Sequence, residues 1–487
     1  MKARSLFRVL RWVGLGAAVP ALWACTSRSL EAPVVKPEQT FTKTFQQTVN
    51  RNVDLLFLID DSSSMRLSQQ NLETNFPQFM RALEGIPGGL PNVHIAVISS
   101  DMGAGDGSIS GCSGTGKGGI FQYTARGACT ATNLQPGATF IKNVDGVANY
   151  TGSLESVFTC IAALGESGCG FEHQFAAITR ALGADGNGPP GENVDFLRKD
   201  AYLAIILITN EDDCSAAAGV PLFDTSQNLN LASQLGPPSN FRCNEFGHLC
   251  EGGAPSRNSP NGMVTDTQNY QNCVSAEGSG LLKTVGETAA QIKALKDDPA
   301  SQIIVAAITG PTTPYQVHWK NPSTTDTGPW PEVTHSCTAP DMSFADPSVR
   351  VTEFVQQFGG NGLTLSICDQ SFAPALTRIA QEIGRALEPP CITGQVANRP
   401  DTNNPDCSVV SHTGNGSGMI IHRSLPWCND VGGTGPCWQL IPGMNCGGGQ
   451  TMDVTPDPAN PMPASQNATV GCSLCTPGVT DTARGCP

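Results

Sequence analysis

Between residues 49 and 388 the chain alternates short apolar runs with stretches in which apolar residues recur every three to four positions. The run Asp54-Leu-Leu-Phe-Leu-Ile59 is almost unbroken, as suits a strand buried on both faces of a parallel sheet. Residues 93–98, 202–209, 303–309 and 363–368 read as further strands, with 202–209 the most apolar and the candidate for the sheet centre. Residues 139–142 read as an edge strand. After the first strand, Leu67, Leu72, Phe76, Phe79, Met80 and Leu83 fall on one helical face. Residues 153–164, 171–182, 281–295, 351–358 and 373–387 carry the same spacing. Strands alternating with helices predict an α/β fold: a doubly wound, Rossmann-like, mostly parallel sheet.

The connections are unequal. Those leaving strands at their carboxyl ends are long (99–151, 210 to about 280, 310 to about 347), whereas the returns 84–92, 298–302 and 359–362 are short; 183–200 is the longest return. In a parallel sheet all the long loops therefore crowd one face, where open sheets bind ligands. Cys112, Cys129, Cys214, Cys243, Cys250, Cys273 and Cys337 lie in them. The expectation is a disulfide-stapled collar, since cross-links offset the entropy of ordering long loops. A collar on that face suits recognition of something large or specifically shaped.

Residues 1–24 are excluded from the fold. Lys2, Arg4, Arg8 and Arg11 form a basic leader, and residues 12–24 are apolar but too short for a comfortable membrane span. Leu22-Trp23-Ala24-Cys25 resembles a bacterial lipobox, which implies a lipid on Cys25 and an outer-membrane lipoprotein facing the periplasm or the surface. Residues 25–48 are expected to be a polar tether. Of nineteen cysteines, Cys25 apart, ten lie between Cys112 and Cys368 and eight between Cys391 and Cys486. Even sets in an exported chain predict two disulfide frameworks and a boundary near Pro389-Pro390. The domains are thus 49–388 and a small cysteine-rich module, 389–487, anchored by Trp427 and Trp438. Its Cys472-Ser-Leu-Cys475 reads as neighbouring bridged cysteines, because zinc would need a second pair. The net charge of −14 becomes −18 without the leader's four basic residues, which excludes nucleic acid and anionic lipid heads as partners.

Where the first strand ends and its helix begins stands Asp60-x-Ser62-x-Ser64. A carboxylate and two hydroxyls at alternate positions of one bend suit a hard cation, and Mg²⁺ favours six oxygens at near-octahedral angles. The alternative is that Asp61 or a serine caps the helix. Followed by Met65, the motif resembles the metal-ion-dependent adhesion site of von Willebrand factor A domains; Ser63 stands where that family more often has Gly. The resemblance implies Ser62 and Ser64 as direct ligands of Mg²⁺ (or Ca²⁺ or Mn²⁺). It implies Asp60 as a direct or water-mediated ligand, and a partner protein or surface presenting an acidic residue. The family completes its site with a threonine before a central helix and an aspartate ending the central strand. Here Glu172 stands nearest the first place, while Asn210 takes the second with Asp212 and Asp213 just after. An amide oxygen ligates but brings no charge. His173 is expected on an exposed helix surface. No Gly-x-Ser-x-Gly elbow supports a Ser62–His173–Asp212 hydrolase. The expected function is non-enzymatic adhesion, with a metal-independent envelope scaffold as the rival.

Overall fold

In the computed structural model, residues 39–46, 50–86, 89–105, 109–226, 231–236, 239–321, 328–387, 391–414, 420–433, 435–443, 446, 449–455 and 467–487 are described. The leader and Cys25 lie outside them. The central sheet contains β1 (Asn52–Ile59), β2 (Asn92–Ser99), β3 (Ile141–Val144), β4 (Tyr202–Ile208), β5 (Ile303–Thr309) and β6 (Gly362–Ser366), with Val147–Ala148 as a short outermost strand. Their order is β6-β5-β4-β1-β2-β3, continued by Val147–Ala148. β6, β5, β4, β1 and β2 are mutually parallel, and β3 joins antiparallel to β2. The fold is thus a mixed α/β structure on a mostly parallel sheet.

Side chains alternate between the two faces of a strand, so β1 feeds two cores. Val53, Leu55, Phe57 and Ile59 face α1 (Arg66–Glu84), α2 (Leu154–Ala162) and α6 (Ala373–Leu387). Phe57, Phe76 and Phe158 form the centre of that layer, Phe76 and Phe158 being stacked with centroids 3.5 Å apart. Leu56 and Leu58 face α3 (Gln174–Ala181), α4 (Val285–Lys293) and α5 (Val349–Gln356). This two-faced burial is why β1 lacks the polar alternation of a half-exposed strand. At roughly 1.5–3 kcal/mol for each buried large aliphatic or aromatic side chain, these layers are the main source of cohesion.

Register puts the chemistry on one edge. Ile59 pairs with Ser99 on one side and Ile208 on the other, and Ile208 pairs with Ile308. The loops after β1, β2, β4 and β5 therefore start level with one another. The sheet's opposite edge is closed by Arg198 of the return 183–200. Its Nε and backbone N–H donate to buried Asp54 at 2.8 and 2.7 Å.

The collar is more ordered than its composition indicated. Thr267–Tyr270, Tyr315–Lys320 and Trp330–Val333, from two different loops, make a three-stranded antiparallel sheet around buried Tyr315, Val317 and Trp319. Disulfides Cys112–Cys169, Cys129–Cys160, Cys214–Cys243, Cys250–Cys273 and Cys337–Cys368 staple it. The remaining four, Cys391–Cys446, Cys407–Cys472, Cys428–Cys437 and Cys475–Cys486, stay within the carboxyl-terminal module. No bridge crosses 389–390, and nine disulfides mark an exported chain. Among the described residues no helix is long and apolar enough to cross a membrane.

The tether needs correction. Gln39–Gln46 is a strand, paired antiparallel with Asn467–Leu474 from Gln39↔Leu474 to Gln46↔Asn467. That sheet continues through Cys407–Gly414 to Ile420–Leu425, and Trp438, Val409, Val470 and Val454 form its module's core. Threonine at alternate positions of QTFTKTFQ favours extended chain, but only the distant partner strand supplies the missing hydrogen bonds. The strand Gln39–Gln46 and the module's described residues from Cys391 stand on either side of the central sheet in sequence. At the end of α6, Arg385 reaches Asn361 just before β6.

Candidate functional site

Asp60 extends the ladder one residue beyond β1, its N–H donating to Ile208 O at 3.0 Å. The chain then turns through Ser63–Met65 into α1, and neither this turn nor α1 has a side-chain cap. The helix-capping alternative thus fails, and the hydroxyls are free for other partners. Ser62 Oγ lies 3.1 Å from Ser64 Oγ, which donates to Asn210 Oδ1 at 3.2 Å. Asn210 is oriented by Nδ2 donating to Phe344 O at 3.1 Å. Asp60, fully buried, accepts from Ser62 N–H (2.9 Å) on one oxygen and Thr209 Oγ1 (2.9 Å) on the other. Burial pushes its carboxyl above the usual range, and those donors oppose the shift.

Two supports had no sequence signal tied to chemistry. Gln69, on the buried face of α1, donates to Asp60 O and Gly165 O, both at 2.9 Å. Thr209 accepts from Gln174 Nε2 at 2.9 Å. A polar Gln at a core-facing helical position is the cue that could have found the first. Asp61 points elsewhere: its Oδ1 accepts from Ser99 Oγ at 2.6 Å, and its Oδ2 touches the ammonium of Lys117.

Glu172 stands beside Glu211, close enough that each shifts the other's titration. Burial, then the negative charges of Glu211 and Asp60, push Glu172 well above the carboxylate range. Burial, then Asp346 and Asp60, push Glu211 to about 8. Like charges in a dry pocket hold a proton between them. Glu172 Oε1 is buried and, among the described residues, has no hydrogen-bond partner. Both glutamates line a cavity of about 20 Å³, room for one water or one ion. Among the described residues no three His, Cys, Asp or Glu side chains form a metal centre of their own. The converging oxygens come instead from two hydroxyls and an amide.

The acidic pair after Asn210 is not brought to those oxygens. Asp212 accepts from the Arg350 and Val351 N–H groups at 2.8 and 3.0 Å and bonds His248 Nε2 at 2.7 Å. It caps α5 and is saturated. Asp213 accepts from Phe175 N–H (2.9 Å), Ser215 Oγ (2.6 Å) and Arg350 Nη2 (3.1 Å). Asp212 is therefore a structural cap. The expectation that His173 is exposed is also corrected: it is 3% exposed, and burial drops it to about 4. Helix α3 begins one residue later than His173, whose N–H is tied to Ser100 O at 3.0 Å. The segment is thus pinned under the collar.

No known family and no curated protein matches the sequence. Several solved structures overlap it weakly, three of them as follows. Proximal thread matrix protein 1 of the mussel byssus is 8% identical over 73% of this chain and 52% of that one, with a TM-score of 0.26. The human COPII-coat protein Sec24c is 9% identical over 88% and 42%, with a TM-score of 0.26. Three N-terminal domains of the type V pili tip protein Mfa5 from Porphyromonas gingivalis are 11% identical over 89% and 62%, with a TM-score of 0.27. This chain spans roughly half the length of those structures (42–62%). Similarity at this level assigns neither fold family nor function.

Proposed function

We propose that this is an exported, non-enzymatic binding protein of von Willebrand factor A type, held to the outer membrane by lipid on Cys25. Its carboxyl-edge loops would bind a divalent cation and, with it, an acidic group of a partner. The observation that carries the reading is the convergence of Ser62 Oγ, Ser64 Oγ and Asn210 Oδ1 at spacings of 3.1 and 3.2 Å. Ligand bonds of 2.0–2.1 Å at octahedral angles put neighbouring oxygens about 3 Å apart, so the set suits Mg²⁺ or Mn²⁺ better than Ca²⁺. The unpartnered Glu172 Oε1 supplies a second reason, since a cation can take the place of the proton that a buried carboxyl pair holds.

Ser62, Ser64 and Asn210 would be the direct ligands. Asp60 would act from behind, its carboxylate orienting the bend through Ser62 N–H. A cation arriving there would displace the proton that Glu172 and Glu211 hold, and the charge so released would supply what Asn210 does not. When bound, the cation supplies a positive centre with a position left for a partner's Asp or Glu oxygen. The collar would set which partners reach it.

Titration of the full chain with Mn²⁺ by calorimetry tests this. Binding is expected in the wild type and absent in Ser62→Ala/Ser64→Ala; equal binding by both would end the cation reading. One observation favours the rival, a metal-independent scaffold: Ser62, Ser64 and Asn210 can satisfy one another without an ion. In that case the wild type shows no Mn²⁺ heat.

A further inference from the structure

Lys117 brings a basic side chain against the Asp60–Ser64 bend. It comes from the first collar loop, held there by Lys117 N–H to Asp101 O (2.9 Å) and by the Cys112–Cys169 bridge. Its ammonium meets Asp61, which is fully buried. The Asp61 carboxyl is wedged in place. Ser99 Oγ donates to Oδ1 at 2.6 Å, and Gly168 packs so close that a Cβ there would fall 2.3 Å from the same oxygen. Gly168 N–H also donates to Asp61 O at 2.8 Å. Neither Lys117 Nζ nor Asp61 Oδ2 has a hydrogen-bond partner of any other kind among the described residues.

An ion pair in this setting is poorly compensated, because a buried ammonium carries three donors and wants several acceptors. We propose that Lys117 Nζ and Asp61 Cγ are joined by an intramolecular amide bond. The ammonium and carboxylate contain the atoms of that amide plus one water, so condensation needs no oxidant, cofactor or co-reactant. The neutral amine attacks Asp61 Cγ, the Cγ–Oδ2 bond breaks, and Oδ2 leaves as water with two protons. Both come from the Lys117 ammonium, one passed to Oδ2 before the attack and the other lost from Nζ as the amide forms. Ser99 Oγ–H supports the charge that develops on Oδ1 in the tetrahedral intermediate. Burial brings the Lys117 amine down to about 8, which raises the neutral, nucleophilic fraction near neutral pH. The product replaces two desolvated charges by a neutral amide, and it fixes the collar to the Asp60–Ser64 bend by a link that reductants leave intact. Asp61 is not among the proposed cation ligands, so this inference stands or falls separately from the cation reading.

The test is the mass of the secreted full chain after reduction and alkylation, followed by peptide mapping. The wild type is expected one water lighter than its processed, lipid-bearing chain without the link, with a branched peptide joining the Asp61 and Lys117 segments. Lys117→Arg and Asp61→Ala are expected at full mass, and Asp61→Asn should lose ammonia in place of water. A wild type at full mass, or a water loss that survives Lys117→Arg, overturns the proposal. If the variants do not fold, the wild-type mass and its branched peptide decide alone.

Discussion

Two acidic loops leave neighbouring parallel strands at the same edge, and they use their carboxylates in opposite ways. After β1, Asp60 holds its own bend together and leaves Ser62 and Ser64 oxygens converging on Asn210. After β4, Asp212 and Asp213 are consumed by the helix starts of α5 and α3, by His248 and by Arg350. Asp212 and Asp213 are thus spent on structure, and the second loop reaches the site through Asn210 and Glu211 instead. What separates them is the number of unsatisfied N–H groups nearby, because a helix start presents orphan donors that a carboxylate will satisfy first.

The comparison can be broken most severely at Asp213. Asp213→Ala strands Arg350, itself 1% exposed, and should cost roughly 3–5 kcal/mol in urea unfolding. A loss below about 1 kcal/mol would mean the second loop is not structural. Next comes His173, pinned between the loops with its folded value lowered to about 4. Its unfolded value is near 6.5, so the unfolded chain takes the proton first, and stability is lost as pH falls from about 6.5 to 4. The contribution is about 3 kcal/mol by linkage, and His173→Gln should flatten that acid limb in thermal melts. Asp212→Asn keeps the shape and weakens three bonds, so about 1–3 kcal/mol is expected, with Mn²⁺ binding retained. Loss of Mn²⁺ binding there would restore Asp212 as a ligand. Smallest in stability should be Ser62→Ala/Ser64→Ala, under about 1 kcal/mol, because its hydroxyl bonds are partly exposed. A large loss would recast the first loop as structural too.

Much of this was legible one residue at a time. The β1 apolar run, the face of α1 and the even cysteine sets each carry their own physical signature. The strand at 39–46 was not, since QTFTKTFQ becomes a strand only when 467–474 pairs with it. The small collar sheet was hidden for the same reason, its strands coming from separate loops.

By itself the sequence determined the strands and helices of the central layers, which end of that sheet is crowded, and that Asp60, Ser62 and Ser64 share one bend. These follow from short-range periodicity and spacing, which the chain carries locally. Only the tertiary structure decided that Glu172 meets Glu211, that Asp212 turns to α5, that His173 is buried and that Lys117 reaches Asp61. Each depends on which donor lies nearest in space. That is fixed by the register of β1 against β4 and by how the collar folds over it, neither of which is written in any one stretch of residues.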